Sequence, residues 1–288
     1  MHKLKNTYID KMINNKLSGK EIDFLLYIAT GQNEFGRVES VYYKDVCSAI
    51  DISFQKFYDI LQSLSEKGMI IYEKLHRADV TVTLIGNSFY GVDYKKNKLG
   101  YLNVAKTNFK NPEWRELKAG SKLLYLYTQR FIEGKHMLVQ NFYEEFCKLF
   151  DVAKKSLQLY IHELKKKKLL FISKKRNKTY KYEMTMKRST VLHTKGLVER
   201  EKESYIQNII LAIRRNFKKY LPEKEPDKVL NDIGNLADTK RAEKHTNFAF
   251  LIVKAVEDSI RLQKEEKKNK PVLNAALVNS CLGKMIEA

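Results

Sequence analysis

The chain has 288 residues, 43 % apolar and 11 % aromatic, which is enough to bury substantial cores and excludes wholesale disorder. Its 54 Lys and Arg outnumber its 34 Asp and Glu, and the resulting net charge of +20 favours a polyanionic partner. No run of 18 apolar residues exists to span a membrane, the opening Met-His-Lys-Leu-Lys-Asn lacks a signal-peptide core, and three cysteines at 47, 147 and 281 form neither a zinc spacing nor an even disulfide set, so a cytoplasmic location is expected.

In chain order, Ser18-Gly19-Lys20-Glu21 opens a helix carrying Ile22, Leu25 and Leu26. A short helix leads into Asp51-Ile52-Ser53, where Ser53 suits an N-cap before Phe54. Phe57, Ile60, Leu61 and Leu64 then recur at i, i+3, i+4 and i+7, one face of a second helix. The β-rich runs Met69–Tyr72 and Val80–Leu84 flank the polar turn Lys74–Asp79.

The same series returns 100 residues later. Residues 42–73 and 142–173 align without a gap, with Tyr43/Tyr143, Cys47/Cys147, Asp51/Asp151, Leu64/Leu164 and Lys67/Lys167 identical. Leu157, Tyr160, Ile161 and Leu164 repeat the helical face, and Tyr182 and Met184 alternate with polar neighbours as a strand does. Each unit therefore reads helix, short helix, turn, helix, hairpin.

That order resembles the winged helix-turn-helix plan, over about residues 17–88 and 115–188. The implied fold is mainly α with small β-hairpin wings: two winged-helix domains in tandem, 1–92 and 93–197, followed by a C-terminal helical region, 198–288. In such domains the second helix of the motif enters the major groove and the wing reaches phosphates or the minor groove. The resemblance implies DNA contacts from Ser53, Gln55, Lys56, Tyr58 and Gln62 in the first copy, with Lys74 and Arg77 on its wing. In the second copy it implies Lys154, Lys155, Ser156, Gln158, His162, Lys165 and Lys166, with Lys174, Lys175, Arg176 and Lys178 on the wing. Gln and Lys suit base edges and phosphates. Residues 111–198 hold 20 basic and 8 acidic side chains, a net +12 against +4 in residues 1–110, so the second copy is expected to dominate phosphate contact. The stretch from Gly100, with Tyr101, Val104, Phe109, Trp114, Leu117, Lys122, Leu123 and Tyr125, is similar to the start of the winged-helix domain in plasmid replication initiators of Gram-positive bacteria.

Four C-terminal segments read as helices: 198–220, 226–236, 246–262 and 272–286. Their apolar faces (Ile209, Ile210, Ile213; Ile252, Val256, Ile260) suit a small bundle, or a homodimer or protein partner, and Arg214, Arg215, Lys218 and Lys219 are candidates for further phosphate contact. No phosphate-cradling loop, no HExxH, no GxSxG and no histidine pair at metal spacing occurs, so no catalytic residue, metal or cofactor is expected. The leading expectation is a non-catalytic, sequence-specific binder of double-stranded DNA, associated with the nucleoid and acting in transcription regulation. The alternatives are a plasmid or phage replication initiator binding origin repeats, and an RNA-binding protein.

Overall fold

The computed structural model describes residues 3–76, 79–91, 100–104, 112–130, 134–138, 141–174, 181–186, 201–236, 248–266 and 270–287. They are mainly helical with small antiparallel sheets and form two compact units. The first unit comprises 1–36, 44–71 and 84–196; the second comprises 37–43, 72–83 and 197–288.

The elements of the first copy are α2 (Gly19–Ala29), β2 (Arg37–Tyr42), α3 (Tyr43–Ile50), α4 (Phe54–Glu66), β3 (Ile70–His76) and β4 (Asp79–Leu84), preceded by β1 (Lys3–Lys5) and α1 (Asn6–Asn14). Next come β5 (Tyr101–Asn103) and α5 (Pro112–Arg115). The second copy has α6 (Ala119–Thr128), β6 (Gly134–Leu138), α7 (Phe142–Phe150), α8 (Lys154–Lys166), β7 (Leu170–Lys174) and β8 (Tyr182–Met186). The two three-stranded sheets have the same order, β2-β4-β3 and β6-β8-β7. The sequence reading anticipated the hairpins but missed the third strand of each sheet. In β2 the pairing register shifts between Val38 and Val41, which breaks the alternation that would have marked a strand.

Local chemistry explains the helix boundaries. Ser18 and Glu21 form a reciprocal capping box at the start of α2. The Ser53 hydroxyl accepts from the Lys56 amide at 3.2 Å, as its position predicts. Asp51 and Asp151 both sit in the left-handed region, at φ 55° and 46°, and end α3 and α7 at matching places. Inside each copy a carboxylate and a hydroxyl tie the first helix to the last, with the residues exchanged. Ser63 donates to Glu21 at 2.7 Å in the first copy, whereas Ser121 donates to Glu163 in the second. Gly120 lets the Tyr160 ring lie against α6; a Cβ there would come within 2.1 Å of the ring.

Helices α2 and α6 pack together in the first unit, which also contains α1 and the β1–β5 pair. Asn87 anchors this pair: its side chain accepts from the Lys5 amide at 2.8 Å and donates to the Lys3 carbonyl at 3.0 Å and to Gln32 at 2.8 Å. A buried polar contact joins the two copies. Lys122 Nζ, 2 % exposed at its side chain, lies 2.8 Å from both Asp23 oxygens, and Trp114 Nε1 donates to Asp23 at 2.8 Å.

In the second unit, α9 (Glu201–Phe217) packs on β2, and α10 (Pro226–Asn235), α11 (Phe248–Glu265) and α12 (Ala275–Glu287) complete a helical core. Ile209, Ile213, Ile252, Val256 and Leu282 are buried there with Leu75 from β3. Most of the apolar faces available to a partner thus cover one another, although Leu211 and Phe250 are exposed. The last helix starts later than the sequence pattern predicts. Asn274 Oδ1 accepts from the Ala276 amide at 2.8 Å and caps it, while the Val272 amide donates to Gln263.

Glu39 on β2 is 1 % exposed; Arg37 donates to one of its oxygens at 2.9 Å, and the other has no partner. Burial pushes its carboxyl up to about 7, against the pull of Arg37. The folded chain therefore binds this proton more tightly than the unfolded chain. The stabilisation is complete below the ordinary value of 4.5 and is lost as pH rises through about 7. About 3 kcal/mol of unfolding free energy is expected to disappear across that window. Melting temperatures from pH 5 to 8 should show this slope in the wild type and a shallower one in Glu39→Gln; parallel profiles would refute it.

Candidate nucleic-acid interface

Helix α8 is built to bury one face and expose the other. Leu157, Ile161 and Leu164 are buried, while Lys154, Lys155, Gln158, Leu159, His162, Lys165 and Lys166 are exposed and Ser156 is half-buried. Its one carboxylate, Glu163, is directed into the fold, accepting from the Ser121 hydroxyl and the Lys118 amide. Lys154 Nζ lies 5.7 Å from the Tyr143 ring centroid. No described carboxylate lies within 4 Å of Lys155, Lys165, Lys166, Lys168 or Lys174, whereas Lys167 pairs with Glu116, whose carboxyl is held low by that hydrogen bond. Lys174 is exposed at the end of β7. Lys175, Arg176 and Lys178 lie outside the described residues, as does Arg77.

The equivalent face of α4 has a different chemistry. Gln55 donates to Asp59 at 2.9 Å and Gln62 to Glu66 at 2.9 Å, so two candidate base readers are engaged by carboxylates of their own helix. Ser53 is occupied as the cap. Tyr58 is half-buried between the Phe54 and Phe57 rings, with centroids at 4.9 and 5.1 Å. Lys56 is exposed. Helix α4 carries one cation and two carboxylates, while α8 carries four cations and one carboxylate. The matching surfaces of the repeat thus differ in sign, and only the second is suited to a polyanion.

Lys74 is exposed on β3 and belongs to the second unit. There the buried Asp79 carboxylate accepts from Ser40 at 2.8 Å, Arg215 at 2.5 Å and Asn216 at 2.9 Å. Arg215 also stacks 4.5 Å from the Tyr42 ring, and Arg214 pairs with Asp227. These arginines, read from the sequence as candidate phosphate ligands, instead hold α9 to the hairpin and to α10. One feature of the α8 face escaped the sequence reading: Leu159 is 56 % exposed. Lys168, read from the sequence as the last of the four lysines at the end of this helix, extends the cationic row beyond it and aligns with Gly68 of the first repeat.

Cys47 and Cys147 are half-buried and Cys281 is buried, all unpaired; burial raises the thiol pKa of Cys47 and Cys281. Among the described residues no group of three His, Cys, Asp or Glu is placed to hold a metal ion, and no helix is long and apolar enough to cross a membrane. No protein-family model, curated protein or solved structure shows significant similarity to this chain.

Proposed function

We propose that this chain is a non-catalytic, sequence-specific double-stranded-DNA-binding protein acting in transcription regulation, and that its second repeat is the reading head. The observation that carries this is the exposed row of lysines on α8 and at the end of β7, in a repeat built of helices and a small antiparallel sheet. Each repeat is read as a winged helix. Helix α8 is then the recognition helix, with Gln158 and His162 toward base edges and Lys155, Lys165, Lys166 and Lys174 toward phosphates. The first repeat is read as the supporting copy, because the Gln residues on its second helix bond to Asp59 and Glu66.

A gel-shift titration of the purified chain on duplex DNA tests this. With six to ten phosphate contacts, affinity is expected to fall by about three to five orders of magnitude between roughly 50 and 200 mM salt. Salt-insensitive binding, or a preference for structured RNA over duplex, would overturn it. Gln158→Ala is expected to change the preference for a selected site over unrelated DNA by about 1–3 kcal/mol, and Gln55→Ala by less. Equal losses would place the base readers on both repeats.

A replication initiator is the second reading, supported by the stretch from Tyr101 to Tyr125 that resembles plasmid initiators. Footprinting distinguishes the two: protection of an isolated promoter site supports the regulator, and protection of a tandem repeat array supports the initiator.

A further inference from the structure

The turn after the last helix of each repeat is closed in the same way. In the first, the Gly68 amide donates to the Ser65 carbonyl and the Met69 amide to the Leu64 carbonyl, both at 2.9 Å. In the second, the Lys168 amide donates to the Lys165 carbonyl and the Leu169 amide to the Leu164 carbonyl, again at 2.9 Å. Both residues are in the left-handed region, at φ +64° and +58°. This paired bonding pattern ends many helices, and its left-handed position is normally glycine because a Cβ is strained there. The first repeat follows the rule and the second breaks it with a lysine.

Among the other side chains at positive φ, Asp51 and Asp151 are of a residue type that tolerates the conformation, and nothing in the structure explains Glu225. Lys16 ends α1 through the same two bonds, its amide donating to the Ile13 carbonyl at 2.9 Å and the Leu17 amide to the Met12 carbonyl at 3.3 Å, and its ammonium pairs with Asp151 at 2.6 Å. Lys168 differs from Lys16 in its side chain: it is exposed, and no described carboxylate pairs with it. The helix dipole favours a cation at this end, but Lys165, Lys166 and Lys167 already supply that charge, and a fourth ammonium adds repulsion. An external anion would offset the repulsion, while the backbone strain would remain as a cost to the fold.

We propose that Lys168 is a phosphate-contacting residue for the nucleic-acid backbone, occupying a glycine position at a cost to the stability of the fold. It extends the row formed by Lys165 and Lys166 past the end of α8 to the start of β7. The proposal rests on the DNA-binding reading of α8, and its test separates the two.

The full chain is compared with Lys168→Gly and Lys168→Arg by thermal melting and by binding to a short mixed-sequence DNA duplex across a salt series. Lys168→Gly is expected to melt about 2–4 °C higher through relief of the backbone strain. It should bind about three- to tenfold more weakly near 0.1 M salt, with the slope of log K against log[salt] flattened by about 0.9. Lys168→Arg, which keeps both strain and charge, should match the wild type in all three measurements. Unchanged affinity and slope in Lys168→Gly, with the wild type still binding steeply, would overturn the proposal and leave the function intact. So would a Lys168→Gly variant that melts no higher than the wild type, or failure of arginine to maintain the slope. A wild type that does not bind duplex DNA would remove both.

Discussion

Replacing Asp23 by alanine is expected to lower the unfolding free energy by about 3–5 kcal/mol, a large part of the roughly 5–15 kcal/mol that holds a typical domain. The Lys122 ammonium is almost completely buried, with both of its close partners on Asp23, and Trp114 donates to the same carboxylate. Burial drives the pKa of Lys122 down, while Asp23 opposes that shift. Without Asp23, a cation and an indole N–H are left in the interior with their principal acceptor gone, which costs far more than the contact contributes relative to an apolar filling. The paired change Asp23→Leu with Lys122→Met removes both charges together. It is therefore expected to recover most of the loss, leaving mainly the unpaired Trp114 N–H at about 1–3 kcal/mol. Urea unfolding of the two variants checks this; a single substitution costing under about 1 kcal/mol would show that the pair does not hold the copies together.

The triple change Lys155→Ala, Lys165→Ala and Lys166→Ala is expected to weaken duplex DNA binding by about two to three orders of magnitude near 0.1 M salt and to flatten the salt slope by about 2.7. These side chains are exposed and make no close ion pair among the described residues, Lys166 attracting Glu116 only at longer range than Lys167 does, so their removal breaks no described salt bridge. Melting should change little, or rise slightly as repulsion at the end of α8 is relieved. Lys56→Ala on the matching helix is the control and is expected to reduce affinity less than about threefold, since Asp59 and Glu66 share its helix. Equal losses from both helices would contradict the asymmetry between the repeats.

The candidate interface was largely legible because its signals are local. A row of lysines on the polar side of an amphipathic helix can be read from spacing alone, as can the exposure of Gln158 and His162. What those side chains touch was less accessible. Gln55 and Gln158 occupy similar outer positions, yet one bonds to Asp59 and the other has no side-chain partner among the described residues. The sequence does contain Asp59 at i+4 from Gln55, but whether that pair closes depends on side-chain geometry. Arg215 showed the same limit: its charge was plain, and its burial against Asp79 and Tyr42 was not.

Periodicity, caps and the offset of 100 residues determined the helices, the hairpins and the existence of two similar halves, because those features depend on neighbours within a few positions. Tertiary structure decided which groups meet over long separations. It set Asp23 against Lys122 and placed residues 37–43 and 72–83 with the C-terminal helices, where Leu75 joins their core. It also held Lys168 in a backbone conformation normally left to glycine. Such pairings arise from the burial of whole faces, whose energy is summed over many distant contacts and leaves no short pattern along the chain.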